Sequence, residues 1–310
     1  MKTSLTYDIQ KYITKIKMSS KKRILVEGKD DKSHLQNLLN IIEVPNIKID
    51  TAEQIKGNCK ITSKNNRAKI DKIFNVCKDK SECLNLYYLC DREFYKFSVE
   101  NIITDDLKIT DFTHNLNWTI GHSIENYFLD FIILSDAYRY LCGSEYKSKA
   151  IELFKKILPS SFRLVASITL SAKDLGQFSY PNGVVMWDKF SIDGDVLSLN
   201  IAINNNTPEI LKKFVNLTNE YNEITNKTDI RVCANICRGH TVMLLLQRIF
   251  SYCLYTVILS DDEVLAKKES LSFSKIKESQ LSSALGESWV RHVKQGYENY
   301  PKELIHSIAS

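Results

Sequence analysis

Apolar and polar positions along the first third of the chain follow two alternating rhythms. Arg23 to Val26 carries a short apolar run, Ile24-Leu25-Val26, of the length and composition of a buried strand. Glu27 and Gly28 fall where such a strand ends. Asp30 then offers a helix N-cap, Asp31 places negative charge in the first turn, and Leu35, Leu38, Leu39 and Ile42 recur at helical spacing. Ile47 to Thr51, after Pro45, predicts a second short strand. Asn65 to Cys77 predicts a helix with Ile70, Ile73, Phe74 and Cys77 on one face. Leu84 to Cys90 predicts the strongest strand in the chain, and it runs straight into Asp91-Arg92-Glu93. After a variable stretch to Thr110, a strand is expected within Phe112 to Ile120. It leads into Gly121-His122-Ser123-Ile124-Glu125-Asn126-Tyr127-Phe128, where Ser123 can cap a helix that has Glu125 in its first turn. Upstream, Ser4 to Met18 predicts an amphipathic leader helix.

Past residue 130 the rhythm changes. Asp136 to Leu158 predicts a helix ended by Pro159. Val184 to Phe190 and Val196 to Ile201 flank Asp193-Gly194, a hairpin signal. Thr207-Pro208-Glu209 has the form of a helix start: cap, N1 proline and acidic first turn. Further helices are expected over 208–222, 240–257 and 275–297. The expected fold class is therefore α/β. A leader helix over 1–20 precedes a Rossmann-like domain with a mostly parallel sheet over 21–132. A mostly helical domain with a small β-hairpin follows over 133–310 and is available for partner binding or dimerisation.

Composition narrows the class without naming an activity. The chain has 310 residues, 44% hydrophobic and 25% charged, which is globular rather than disordered. With 5 prolines and 10 glycines, breakers are few. A net charge of +5 is compatible with nucleic acid and equally with a solvated surface. The 8 cysteines form no Cys-x-x-Cys pair, and Cys233–Cys237–His240 is half a zinc set at best. Reduced, mostly buried thiols in a cytoplasmic protein are expected. Met1 to Lys15 lacks an apolar signal core, and no uninterrupted apolar run is long enough to span a membrane. The most apolar helix, Val242 to Leu254, is interrupted by Gln247 and Arg248 and reads as core.

The chemistry gathers at the strand ends. Glu27 follows the first strand, Asp91 and Glu93 follow the strongest one, and Glu125 opens a later helix. In a doubly wound sheet the carboxyl ends of the strands form the ligand-binding edge. Neighbouring carboxylates repel, and a cation keeps them ionised. Clustered hard oxygen donors suit Mg2+ or Mn2+ rather than zinc. Such a site can align a phosphodiester for hydrolysis. Lys29 and Arg92 are candidate phosphate contacts, as are His122 beside Glu125 and Arg238 at a helix start. Lys60, Lys64, Arg67 and Lys69 form a basic patch that can track a nucleic-acid backbone or simply face solvent. Plainer roles stand beside these: helix capping for Asp30, a favourable helix N-terminal charge for Glu125, and helix anchoring for Asn126 and Tyr127.

Val26-Glu27-Gly28-Lys29-Asp30-Asp31, followed about 60 residues later by Asp91-Arg92-Glu93 at a strand end, resembles the TOPRIM domain of type II topoisomerases, primases, OLD-family nucleases and small ribonucleases. The family glutamate corresponds to Glu27 and its Asp-x-Asp to Asp91 and Glu93, where this chain has Glu as the second carboxylate. Ser123-Ile124-Glu125-Asn126-Tyr127 extends the likeness to the TOPRIM-like family that contains AriB, the effector subunit of PARIS anti-phage systems. That resemblance implies a metal-dependent nuclease with Glu27, Asp91, Glu93 and Glu125 as catalytic and metal-binding carboxylates. It also implies silencing by an ABC-type ATPase of the AriA kind, with homodimerisation and cleavage of host RNA, tRNA in particular, after release. Two rivals remain: an OLD-like DNA nuclease subunit working with a separate ATPase, since the chain has no Gly-x-x-x-x-Gly-Lys-Ser/Thr loop, and a non-catalytic TOPRIM-shaped binding subunit.

Overall fold

The computed structural model describes residues 7–113 and 115–309. The expected leader-helix residues Ser4 to Thr6, and His114 in the expected Phe112–Ile120 strand, lie outside them. The protein is a mixed α/β chain with a mostly parallel sheet and a helical C-terminal part. It divides into two compact units. The first comprises Met1–Arg92, Leu107–Ile124 and Val290–Ser310; the second comprises Glu93–Asp106 and Glu125–Trp289.

The first unit opens with β1 (Tyr7–Asp8) and α1 (Ile9–Lys17), whose start is capped by the Asp8 carboxylate accepting from the Lys11 amide. Then come β2 (Arg23–Val26), α2 (Lys29–Ile41), β3 (Lys48–Thr51), β4 (Ile55–Lys56), α3 (Asn66–Cys77) and β5 (Leu86–Cys90). The chain next forms β6 (Phe97–Val99) and β7 (Ile103–Asp105), an antiparallel hairpin of the second unit, and returns to the first as β8 (Leu116–Trp118). The main sheet has the order β3-β2-β5-β8 with every neighbour parallel. Helices on the sheet faces bury both sides of the central strands, so β2 and β5 read as unbroken apolar runs. Ile24, Leu25, Val26 and Leu86 to Cys90 are all buried. Beneath them Arg23 pairs with Asp50 at 2.8 Å, and the Tyr12 hydroxyl donates to the same carboxylate.

The second unit continues with α4 (Phe131–Leu141), α5 (Lys147–Asp174), α6 (Tyr180–Val184), the hairpin β9 (Phe190–Asp193) and β10 (Val196–Leu199), α7 (Glu209–Thr225), α8 (Ile230–Ile236), α9 (Gly239–Ile258), α10 (Glu263–Ser274) and α11 (Glu278–Lys294), whose last turn belongs to the first unit. By length and composition α9 is apolar enough to cross a membrane, yet most of it is buried against α5 and α10. Its Gln247 amide donates to the Phe273 and Ile276 carbonyls.

Several local expectations shift. The single helix from Asp136 to Leu158 is instead α4 and α5, separated by Cys142–Tyr146, and α5 runs straight through Pro159. A proline inside a helix costs about 3 kcal/mol. The buried stripe Phe154, Ile157, Leu158, Phe162 and Val165 outweighs that cost, at roughly 1.5–3 kcal/mol per large side chain. Helix α2 is capped by Gly28 rather than Asp30. The Asp31 carboxylate accepts the Gly28 amide at 2.8 Å, and Asp30 is an exposed first-turn charge. Helix α7 starts one residue late, with Pro208 at the cap, because the Thr207 hydroxyl accepts from the Asn204 amide. Finally, α12 (Lys302–Ala309) belongs to the first unit rather than to the helical part. It buries Leu304, Ile305 and Ile308, packs near β5 and takes a hydrogen bond from Lys22 to the Ile308 carbonyl.

Gly57 enters the 57–64 loop with no room for a side chain. An added methyl would lie 2.2 Å from the Thr62 carbonyl carbon. Gly57→Ala is expected to cost about 1–3 kcal/mol in urea unfolding, whereas Gly143→Ala, with nothing within 4 Å, should leave the midpoint nearly unchanged. Equal effects would show that the loop backbone yields freely.

Candidate active site

Two strand tips in the first unit carry the sequence-predicted carboxylates Glu27 and Asp91. Leu25 is in register with Tyr88 across β2 and β5. Two residues on, Glu27 falls level with Cys90 and Gly28 level with Asp91, so the two acidic positions follow the ends of neighbouring strands one register step apart. Gly28 has the Asp31 carboxylate against it, accepting its amide at 2.8 Å. Burial pushes the Cys90 thiol pKa up, and the Glu27 and Asp91 charges add to it.

Arg67, in the first turn of α3, reaches over this pair. Its Nε donates to Asp71 at 2.9 Å, its Nη1 donates to the Asp91 carbonyl at 3.3 Å, and its Nη1 approaches a Glu27 carboxylate oxygen at 4.0 Å. The guanidinium lies over the Trp118 ring, 4.0 Å from its centroid. Burial alone would pull the Arg67 pKa down, but the neighbouring Cys90, Asp71 and Glu27 raise it overall. Burial is also the largest influence on Cys90, and it pushes the thiol well up; Arg67 opposes this, while Glu27, Asp71 and Asp91 add to it. Cys90 is therefore held as a neutral thiol under the site, not as a nucleophile.

The arrangement places hard oxygen donors on a partly open rim. The Glu27 side chain is 19% exposed, and the donor chemistry of Glu27 and Asp91 fits Mg2+ or Mn2+. Among the described residues no three His, Cys, Asp or Glu side chains converge as a ready-made metal cage. A site that keeps several waters and takes only one or two protein carboxylates needs none.

The other predicted residues fall elsewhere. Glu93 is in the second unit, exposed, with φ at +50°. Glu125 is also in the second unit, on the one-turn 3-10 segment Ile124–Phe128. It is buried and faces the His240 Nε2 at 3.9 Å, while the His240 Nδ1 meets Glu278 at 2.6 Å. Burial pulls the His240 pKa down and Arg238 adds to that, but Glu125 and Glu278 outweigh both and raise it. This carboxylate–imidazole–carboxylate row can hold and pass a proton. Beside it the Asn126 amide faces the carbonyls of Ala234, Asn235 and Cys237 at 2.8–3.2 Å and caps the end of α8, and Tyr127 stacks on Trp289.

The four expected phosphate contacts are paired or buried. Arg92 is 1% exposed and gives its guanidinium to the Ile120 carbonyl at 2.8 Å, so it braces the sheet edge instead of facing solvent. Lys29 is exposed but paired with Glu53 at 2.6 Å. His122 is buried. Arg238 is half-buried at the start of α9, close to Thr241 and over the Phe178 ring. In the basic patch only Lys60 and Lys64 are fully exposed. Lys69 is buried against the Ala52 carbonyl, and Arg67 is the clamp just described. The sequence reading missed Asp71 altogether. The signal for it was the Arg67–Asp71 spacing of four on a helix that begins beside the strand tips. The cysteines make no zinc set: Cys233 and Cys237 are buried and directed to backbone carbonyls, and seven of the eight thiols are buried, Cys59 being exposed.

No protein-family model matches the chain, and no curated protein matches it.

Because the folded pKa of His240 is raised, its charge contributes stability that is fully present below about pH 6.5 and is lost as pH rises through the folded value. Glu278→Gln should lower the His240 pKa and shrink that acid-side advantage. An NMR titration of the imidazole reads it directly, and an unchanged midpoint would contradict the pairing.

Proposed function

We propose that the protein is a metal-dependent nuclease of TOPRIM type, and that Glu27 and Asp91 are its principal carboxylates. The observation that supports this most is their place immediately after adjacent parallel strands, at the carboxyl edge of one sheet, inside one compact unit. In this reading Glu27 and Asp91 hold Mg2+ or Mn2+, and Glu27 is placed to take or return a proton at the rim. Bound there, the ion supplies Lewis-acid stabilisation of the attacking and leaving oxygens of a phosphodiester. Gly28 lets the backbone of the substrate approach closely, and Lys60 and Lys64 supply exposed positive charge along the loop leading to α3.

The same likeness supplies the biological setting. The protein acts as the effector of an anti-phage system in the cytoplasm. An ABC-type ATPase partner of the AriA kind holds it silent; once released it dimerises and cleaves host RNA, with tRNA as the target. A non-catalytic, TOPRIM-shaped binding subunit is the second reading. The contact of Glu27 with Arg67 and the lack of a three-residue metal cage among the described residues favour it.

Purified chain is incubated with tRNA and, separately, with plasmid DNA in the presence of Mg2+. Cleavage of tRNA is expected. Glu27→Gln and Asp91→Asn should each reduce it by more than about 10²-fold, because loss of a ligand's supporting group alone costs about 10–100-fold. Far-UV circular dichroism should show both variants folded. Cleavage of plasmid alone would move the assignment to an OLD-like DNA nuclease. A fully active Glu27→Gln protein would refute the site, and no cleavage of either substrate would favour the binding subunit.

A further inference from the structure

Arg67 occupies the place where a cation is wanted. At the strand tips the Arg67 guanidinium meets the Asp71 carboxylate, the Asp91 backbone carbonyl and, at longer range, the Glu27 carboxylate. Its attachments differ in strength. The bond to Asp71 at 2.9 Å is a charge-assisted hydrogen bond, and stacking on Trp118 at 4.0 Å is within cation–π range. The approach to Glu27, at 4.0 Å, is beyond hydrogen-bonding distance and is a charge contact alone. The contact with Glu27 can therefore open while Arg67 keeps its bonds to Asp71 and to the Asp91 carbonyl and its stack on Trp118.

We propose that Arg67 is a built-in counter-cation: without a metal ion its guanidinium neutralises the strand-tip carboxylates, and it yields Glu27 to a divalent ion while staying fixed on Asp71 and Trp118. This rests on the metal-centre reading above and goes beyond it. Arginine stays charged at every accessible pH, so it keeps the empty site ionised without a proton change. Once Glu27 is released, the guanidinium lies beside the ion with donors free to meet phosphate oxygens, the task first assigned to Lys29 and Arg92.

The test is a Mn2+ titration of the full chain, followed by electron paramagnetic resonance of the free ion, on wild type and Arg67→Gln. Removing a like charge a few ångströms from the ion should tighten Mn2+ binding on the order of tenfold. A purely structural clamp predicts unchanged or weaker binding in the folded variant, and that result would overturn the proposal. Should Arg67→Gln fail to fold, wild-type chain labelled with 15N-arginine gives the answer. The Arg67 Nε–H resonance should move during Mg2+ titration with the midpoint of ion binding, and a resonance that stays put while Mg2+ binds would also overturn the proposal. Failure of wild type to bind either ion is a different result, and it removes the metal-centre reading itself.

Discussion

One guanidinium ties together the parts of the first unit that matter for chemistry. Arg67 projects from α3, hydrogen-bonds to Asp71 on the same helix, touches the ends of β2 and β5, and rests on Trp118 of β8. Its energetic weight does not come from any single pair, since partly exposed ion pairs contribute about 0–1 kcal/mol each. It comes from the guanidinium's fixed fork geometry, which makes several weak contacts hold at once. The consequence is local. The ends of β2 and β5 are tied to one guanidinium, through the Glu27 carboxylate and the Asp91 carbonyl.

The sheet is legible in the sequence because a parallel strand covered on both faces has to be apolar throughout. Ile24-Leu25-Val26 and Leu86 to Cys90 meet that requirement, and the acidic residues immediately after them mark the edge. What escaped the reading depends on contacts distant in sequence. Arg67 and Asp71 look like any solvated pair four residues apart until β8 brings Trp118 under the guanidinium. Arg92 looks like an exposed phosphate contact until the Ile120 carbonyl, nearly thirty residues on, takes its charge inward. The 93–106 stretch reads as variable because its hairpin strands are only three residues each. Pro159 shows a local rule overridden by packing, since the apolar stripe of α5 continues on both sides of it.

The second unit has its own logic. A long buried helix, α5, packs against α7, α8 and α9, and the polar residues singled out by sequence lie at helix ends around it. Asn126 closes the last carbonyls of α8, and Glu125 faces the first turn of α9 through His240. The segment that resembles the AriB family thus has two parts of different character. Asn126 and Tyr127 anchor helices, and Glu125 joins a titratable row whose imidazole is half-exposed.

The central claim is that Glu27 and Asp91 share one divalent ion at the carboxyl edge of the parallel sheet. Crystals of the chain soaked in Mn2+ and measured at a wavelength where manganese scatters anomalously test this most directly. The account predicts an anomalous peak within coordination distance of both carboxylates, with Arg67 still stacked on Trp118. A peak elsewhere, or Glu27 still facing Arg67 with no ion beside it at saturating Mn2+, would contradict it.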